Sequence, residues 1–133
     1  MKNNDRSGLV SRKAALEVLL AVWRQQQPLE AAFTSSRAFG ALQDADRHFA
    51  YQLVMQCCRY RAGCEVMLAE WMQRPLKPSK MAVKIILCMG MVQHFVMQTP
   101  AHALVDTSVE LTKKADPAFS GLVNAVLKKA IQA

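Results

Sequence analysis

Basic side chains are the residues in this sequence best equipped to act on a partner. They fall in groups: Arg6, Arg12 and Lys13; Arg59 and Arg61; Arg74, Lys77, Lys80 and Lys84; Lys113 and Lys114; Lys128 and Lys129. Seventeen Lys and Arg stand against 10 Asp and Glu, for a net charge of +7. That balance is compatible with a polyanionic partner but does not by itself decide for one, since such an excess is equally often a solvated basic surface. Taken singly, each group is more often the solvated end of a helix than a binding patch. Linear order does not show whether the groups share a face.

Residues suited to catalysis find simpler explanations. Cys57, Cys58, Cys64 and Cys88 form no CxxC pair and have no zinc-like spacing with His48, His94 or His102. They read as buried free thiols of a reducing compartment. Asp44 and Asp46 suit the cap and first turn of a helix, where carboxylates offset the helix dipole. The glycines, Gly8, Gly40, Gly63, Gly90 and Gly121, are scattered singly, so no glycine-rich loop is available to cradle a nucleotide or methyl donor. No catalytic residue, metal site or cofactor is expected. The opening MKNNDRSG lacks the apolar run of a signal peptide. Met81 to Val96 is too short to span a bilayer and is broken by Lys84, Gln93 and His94. A cytoplasmic protein with no membrane partner is expected.

The elements that must position these groups are helices. A chain of 133 residues is one domain's worth, and 52% hydrophobic with 7% aromatic describes a core of Leu, Val, Ala and Met. Leu16, Leu19, Leu20 and Trp23 form a stripe at helical spacing between Ser11 and Gln25. A second helix is expected from Pro28 to Gly40, and a third from an Asp44 cap to Gly63. A fourth runs from Cys64 to Met72 and ends at Arg74-Pro75-Leu76-Lys77-Pro78, since residues before proline leave the helical region. The stretch Met81 to Met97 is apolar nearly all round, as befits a helix surrounded by others. Thr99 and Pro100 open the next helix, Asp116-Pro117 breaks it, and Phe119 to Ala130 forms the last stripe. The reading is therefore all-α: about seven helices, a central apolar one near 80–97, a flexible arm over 1–8 and one domain over 9–133.

Several stretches carry a family resemblance: SRKAALEVL at 11–19, DRHFAYQLV at 46–54, VKIILCMGMVQ at 83–93, TPAHA at 99–103, SVELTK at 108–113 and GLVNAVLKK at 121–129. In this order they resemble a NusB-like domain over residues 9 to 131. Arg74-Pro75-Leu76, the pattern from Gly90 to Gln93, Pro100-Ala101-His102 and Asn124 to Lys128 are more similar to the N-terminal RNA-binding domain of rRNA (cytosine-5-)-methyltransferases of the RsmB/Sun type. The resemblance implies a helical bundle that binds RNA, rRNA above all. It also implies an S-adenosylmethionine-dependent α/β domain with a Pro-Cys motif, which lies outside this sequence. The alternative is the NusB-type transcription antitermination factor, which binds RNA together with a small-subunit ribosomal protein, NusE. A third reading is an interaction scaffold without RNA affinity, since Val105-Asp106-Thr107 stands where the family usually has Val-Asn-Glu.

The residues expected to contact RNA are Arg6, Arg12, Lys13, Lys80, Lys84, Lys113 and Lys114. Arg12 and Lys13 match the family's basic start and fall in the first turn of the helix expected from Ser11. Cations there oppose the helix dipole, so their presence suggests a phosphate-binding corner built with the free N–H groups of that turn. Asn124 and Arg47 also match the family, and both read as structural through hydrogen bonding.

Overall fold

The computed structural model describes the backbone of residues 2–133 and the side chains from Gly8 onward. Among these residues there are seven α-helices and no strand: α1 (Lys2–Trp23), α2 (Leu29–Ser35), α3 (Arg37–Gly40), α4 (Asp44–Trp71), α5 (Met81–Phe95), α6 (Ala101–Ala115) and α7 (Ser120–Gln132). Short 3-10 turns at Pro78–Lys80 and Pro117–Phe119 lead into α5 and α7. The all-α class and the number of helices agree with the apolar stripes, but the chain is divided differently.

The three largest boundary shifts each have a physical reason. Helix α1 begins at Lys2 rather than near Ser11. An apolar stripe marks where a helix is buried, not where it starts, and Gly8 costs the helix only about 1 kcal/mol. Met1 and the side chains of residues 2–7, including Arg6 and most of the expected arm over 1–8, lie outside the described residues. The helix expected over 28–40 is split at Ser36, whose backbone is extended at φ −80 and ψ 116. Its hydroxyl accepts the Phe39 amide at 3.1 Å and donates to the Glu17 carboxylate at 2.7 Å, so Ser36 closes α2 and caps α3. Conversely, α4 runs through Gly63 without a break. No glycine among the described residues has a positive φ, and a Cβ at Gly63 would meet nothing within 4 Å. One fewer helix there and one more at Ser36 leave the total unchanged.

Two compact units divide the chain, residues 1–55 and 56–133. In the first, α1, α2 and α3 pack on one another, and Val18, Leu19, Ala32 and Phe39 are buried. In the second, α5, α6 and α7 pack pairwise. Helix α5 is buried at Val83 and at every residue from Ile85 to Gln93, as its unbroken apolar character required. The buried Gln93 amide donates to the Met89 carbonyl at 3.0 Å, which makes a polar residue tolerable there. At Gly90, α5 meets α7 so closely that a Cβ would lie 2.6 Å from Leu127 Cδ2. Helix α6 starts one residue later than expected, with Pro100 as its cap and no side-chain capping bond from Thr99. Among the described residues no helix is long and apolar enough to cross a membrane.

Candidate nucleic-acid interface

In the unit 1–55 two cations, Arg12 and Arg47, turn onto the protein, while Lys13, Arg24 and Arg37 are exposed. Arg12 is only 7% exposed. Its guanidinium donates to the Gly8 carbonyl at 3.0 Å and lies 4.7 Å from the centre of the Phe49 ring. Burial lowers its pKa to about 10, still far enough above neutrality to keep it charged. With α1 starting at Lys2, Arg12 and Lys13 stand within the helix, where backbone N–H groups are already bonded to carbonyls one turn earlier. The phosphate-binding corner expected at a first turn is therefore not formed, and the charge of Arg12 is used internally. Lys13 is exposed and lines a groove with Glu17 and Arg24. Arg47, read as structural, donates to the Phe39 carbonyl at 3.3 Å and lies 4.4 Å over the Phe39 ring.

In the unit 56–133 basic side chains gather around a groove of about 520 Å³. Its walls come from the end of α4, the segment 72–77 and the outer face of α7, and its apolar surface from Trp71, Leu76, Phe119 and Leu122. Arg74, Lys77, Lys80 and Lys129 line the same groove, and none of its lining residues is acidic. The prolines at 75 and 78 explain the shape: they stop α4 and carry an extended basic segment across to α5. Arg74 and Lys77 are exposed and take no part in the ion pairs seen among the described residues. The Lys129 ammonium donates to the Trp71 backbone carbonyl at 3.4 Å, which ties α7 to the end of α4.

Of the lysines expected to meet RNA, Lys80 belongs to this groove but is partly committed. It bonds Asp116 at 2.9 Å and lies 4.9 Å from the centre of the Phe119 ring. Lys84 pairs with Glu65, holding that carboxyl below its ordinary pKa chiefly through their hydrogen bond. It lines an adjoining groove with Glu65 and Leu68, which shares Met72, Gln73, Pro75 and Leu76 with the first. Lys113 reaches Glu110 at 3.8 Å and Lys114 is exposed, both in the last turn of α6, where cations suit the helix dipole. Arg74, Lys77 and Lys129 were not singled out for RNA from the sequence. The signal was present in the proline-spaced basic run, but its meeting with Lys129 depends on the return of α7 past the end of α4.

The cysteines are free, with Cys57, Cys64 and Cys88 buried and Cys58 half-buried rather than fully enclosed. Cys64 and Cys88 share a hydrogen bond that lowers the first thiol's pKa and raises the second's, while burial raises Cys57. No group of three or more His, Cys, Asp or Glu among the described residues could hold a metal. Asn124 is half-buried and not enclosed as a core amide.

A NusB family model matches residues 9–132. This chain belongs to the NusB family. Among NusB relatives, it is 35% identical over 125 residues to the "Ribosomal RNA small subunit methyltransferase B" of Xanthomonas campestris, covering 93% of this chain and 28% of that protein. Proteins of the same name from Pseudomonas putida and Pasteurella multocida are 28% and 29% identical over 120 and 123 residues. The match takes in 90% and 91% of this chain but 27% of each relative. The chain thus spans little more than a quarter of the length of these curated relatives. The similarity of this NusB-family chain to the domain carried by rRNA methyltransferases, read from its motifs, is borne out.

Proposed function

We propose that this chain is a non-catalytic RNA-binding module resembling the N-terminal domain of a 16S rRNA 5-methylcytosine methyltransferase. It holds structured rRNA by phosphate contacts while a separate methyl-donor-binding domain performs the chemistry. The observation that carries this reading is the near-complete match of the chain to about a quarter of proteins named as ribosomal RNA methyltransferases. The basic excess supplies the electrostatics, and the absence of a glycine-rich turn in the sequence leaves no mount for S-adenosylmethionine. The module needs no cofactor of its own and works in the cytoplasm. Lys13, Lys80, Lys84, Lys113 and Lys114 remain candidate phosphate contacts, and Arg12 is reassigned to the core. The antitermination reading, with its ribosomal-protein partner, is the less favoured one, because the relatives named above are ribosomal RNA methyltransferases.

Fluorescence anisotropy with a 16S rRNA fragment, repeated across salt concentrations, tests the proposal. Binding whose log affinity falls linearly with log salt is expected. Binding absent at low salt would remove RNA as the partner. Calorimetric titration with S-adenosylmethionine should give no heat of binding, and a saturable isotherm would place methyl-donor chemistry in this chain.

A further inference from the structure

Resting on the RNA-binding reading, we infer that the groove between Trp71, the segment 72–77 and α7 is the site where an unpaired RNA nucleotide docks. The base lies against the Trp71 indole, and its flanking phosphates meet Arg74, Lys77 and Lys129.

Three observations converge on this ligand. The volume of about 520 Å³ falls in the roughly 300–1,000 Å³ range of small-ligand pockets, large enough for more than a lone ion. The lining pairs apolar and aromatic surface with four cations and no carboxylate. Glu30 and Asp44 line one other groove and Glu17 a second, while Glu65 lies in the adjoining groove that shares Met72, Gln73, Pro75 and Leu76 with this one and is paired there with Lys84. Thirdly, Arg74 and Lys77 are exposed and the Lys129 ammonium donates to the Trp71 carbonyl, so accessible cations line the same groove as Trp71 and Phe119.

A duplex cannot use such a site, because its bases hide their faces in the stack and offer only grooves and backbone. An unpaired nucleotide offers a flat face to the indole and phosphates to the rim, the combination by which single strands are held. Gln73 is the one uncharged polar side chain lining the groove, and its amide can meet a base edge. Lys80 is the least available of the four cations, since Asp116 already engages it.

The chain has two tryptophans, and Trp23 is only 6% exposed. Intrinsic fluorescence therefore reports on Trp71 when RNA is added. A short unstructured oligoribonucleotide should quench the emission saturably, in step with its anisotropy, while the same sequence annealed to its complement should quench little. Trp71→Phe should keep the affinity and lose the quenching, whereas Trp71→Leu should weaken binding roughly 5- to 150-fold, the worth of one stacked base. Arg74→Glu with Lys77→Glu, both at exposed positions, should flatten the salt dependence by about 0.7 log units for each single-strand phosphate that is no longer neutralised. Single-strand binding with no Trp71 quenching and an unaltered salt slope in the charge-reversed variant would overturn the site while leaving RNA binding intact. Failure of both RNAs to bind the wild-type chain would instead overturn the RNA-binding reading itself.

Discussion

Two arginines of the first unit and three cations of the second serve opposite ends. In residues 1–55, Arg12 and Arg47 each donate to a backbone carbonyl and lie over a phenylalanine ring, so their charge is met by the protein. In residues 56–133, Arg74 and Lys77 stand exposed at the edge of an apolar groove, and Lys129 reaches only a carbonyl. All are basic residues in a basic chain, and sequence grouping treats them alike. Burial and local partners separate a cation that stabilises the fold from one available to a phosphate.

The largest expected effect comes from exchanging a member of each class. Arg12→Ala removes a charged hydrogen bond and the packing of a long side chain on Phe49, and should cost about 1.5–3 kcal/mol in denaturant unfolding. Its RNA salt slope should match wild type. Arg74→Ala with Lys77→Ala should do the reverse, holding stability within about 0.5 kcal/mol while reducing RNA affinity. A stable Arg12→Ala protein with weakened RNA binding would break the distinction.

Next comes the scaffold beneath the groove. Gly90→Ala places a methyl group against the fully buried Leu127 side chain, and overpacking of this kind costs about 1–3 kcal/mol. Thermal unfolding should show the loss. An unchanged Tm would mean that α5 and α7 part easily.

Asp116 offers a smaller effect of opposite sign for binding. Asp116→Asn releases Lys80 from its partner, lowering stability by less than about 1 kcal/mol. The salt slope for RNA should steepen by up to about 0.7 log units as one more cation becomes available. A weakened interaction would show that Lys80 is useful only when held by Asp116.

The smallest effect lies on the acid limb. The hydrogen bond from Lys84 holds the Glu65 carboxyl below its ordinary value of about 4.5. Its contribution is present above that value and is lost as pH falls below it, through the lower folded-state pKa. Because the Glu65 side chain is 36% exposed, the loss should be only a few tenths of a kcal/mol. Glu65→Gln should flatten stability against pH in that window, and a slope identical to wild type would show the pair to be energetically silent.

Much of the architecture was legible because helical burial leaves a period. The stripe of Leu16, Leu19, Leu20 and Trp23 and the unbroken apolar run of α5 report helices directly, and the paired prolines at 75 and 78 report the end of α4. The start of α1 was not legible, because polar residues can extend a helix without adding to the stripe. Nor was the break at Ser36, which depends on Glu17, a residue 19 positions away in another helix. Gly63 read as a boundary from composition, yet α4 passes through it, since one glycine's propensity cost is small beside the packing of a long helix.

The sequence by itself determined an all-helical chain, its basic excess and its membership of the NusB family, because period, composition and ordered motifs are local or additive properties. Only the tertiary structure decided which cations are available. Burial removed Arg12 from the expected RNA face, and the return of α7 brought Lys129 to Arg74 and Lys77. Burial and convergence depend on residues distant along the chain, and the charge of a side chain carries no record of what will lie against it.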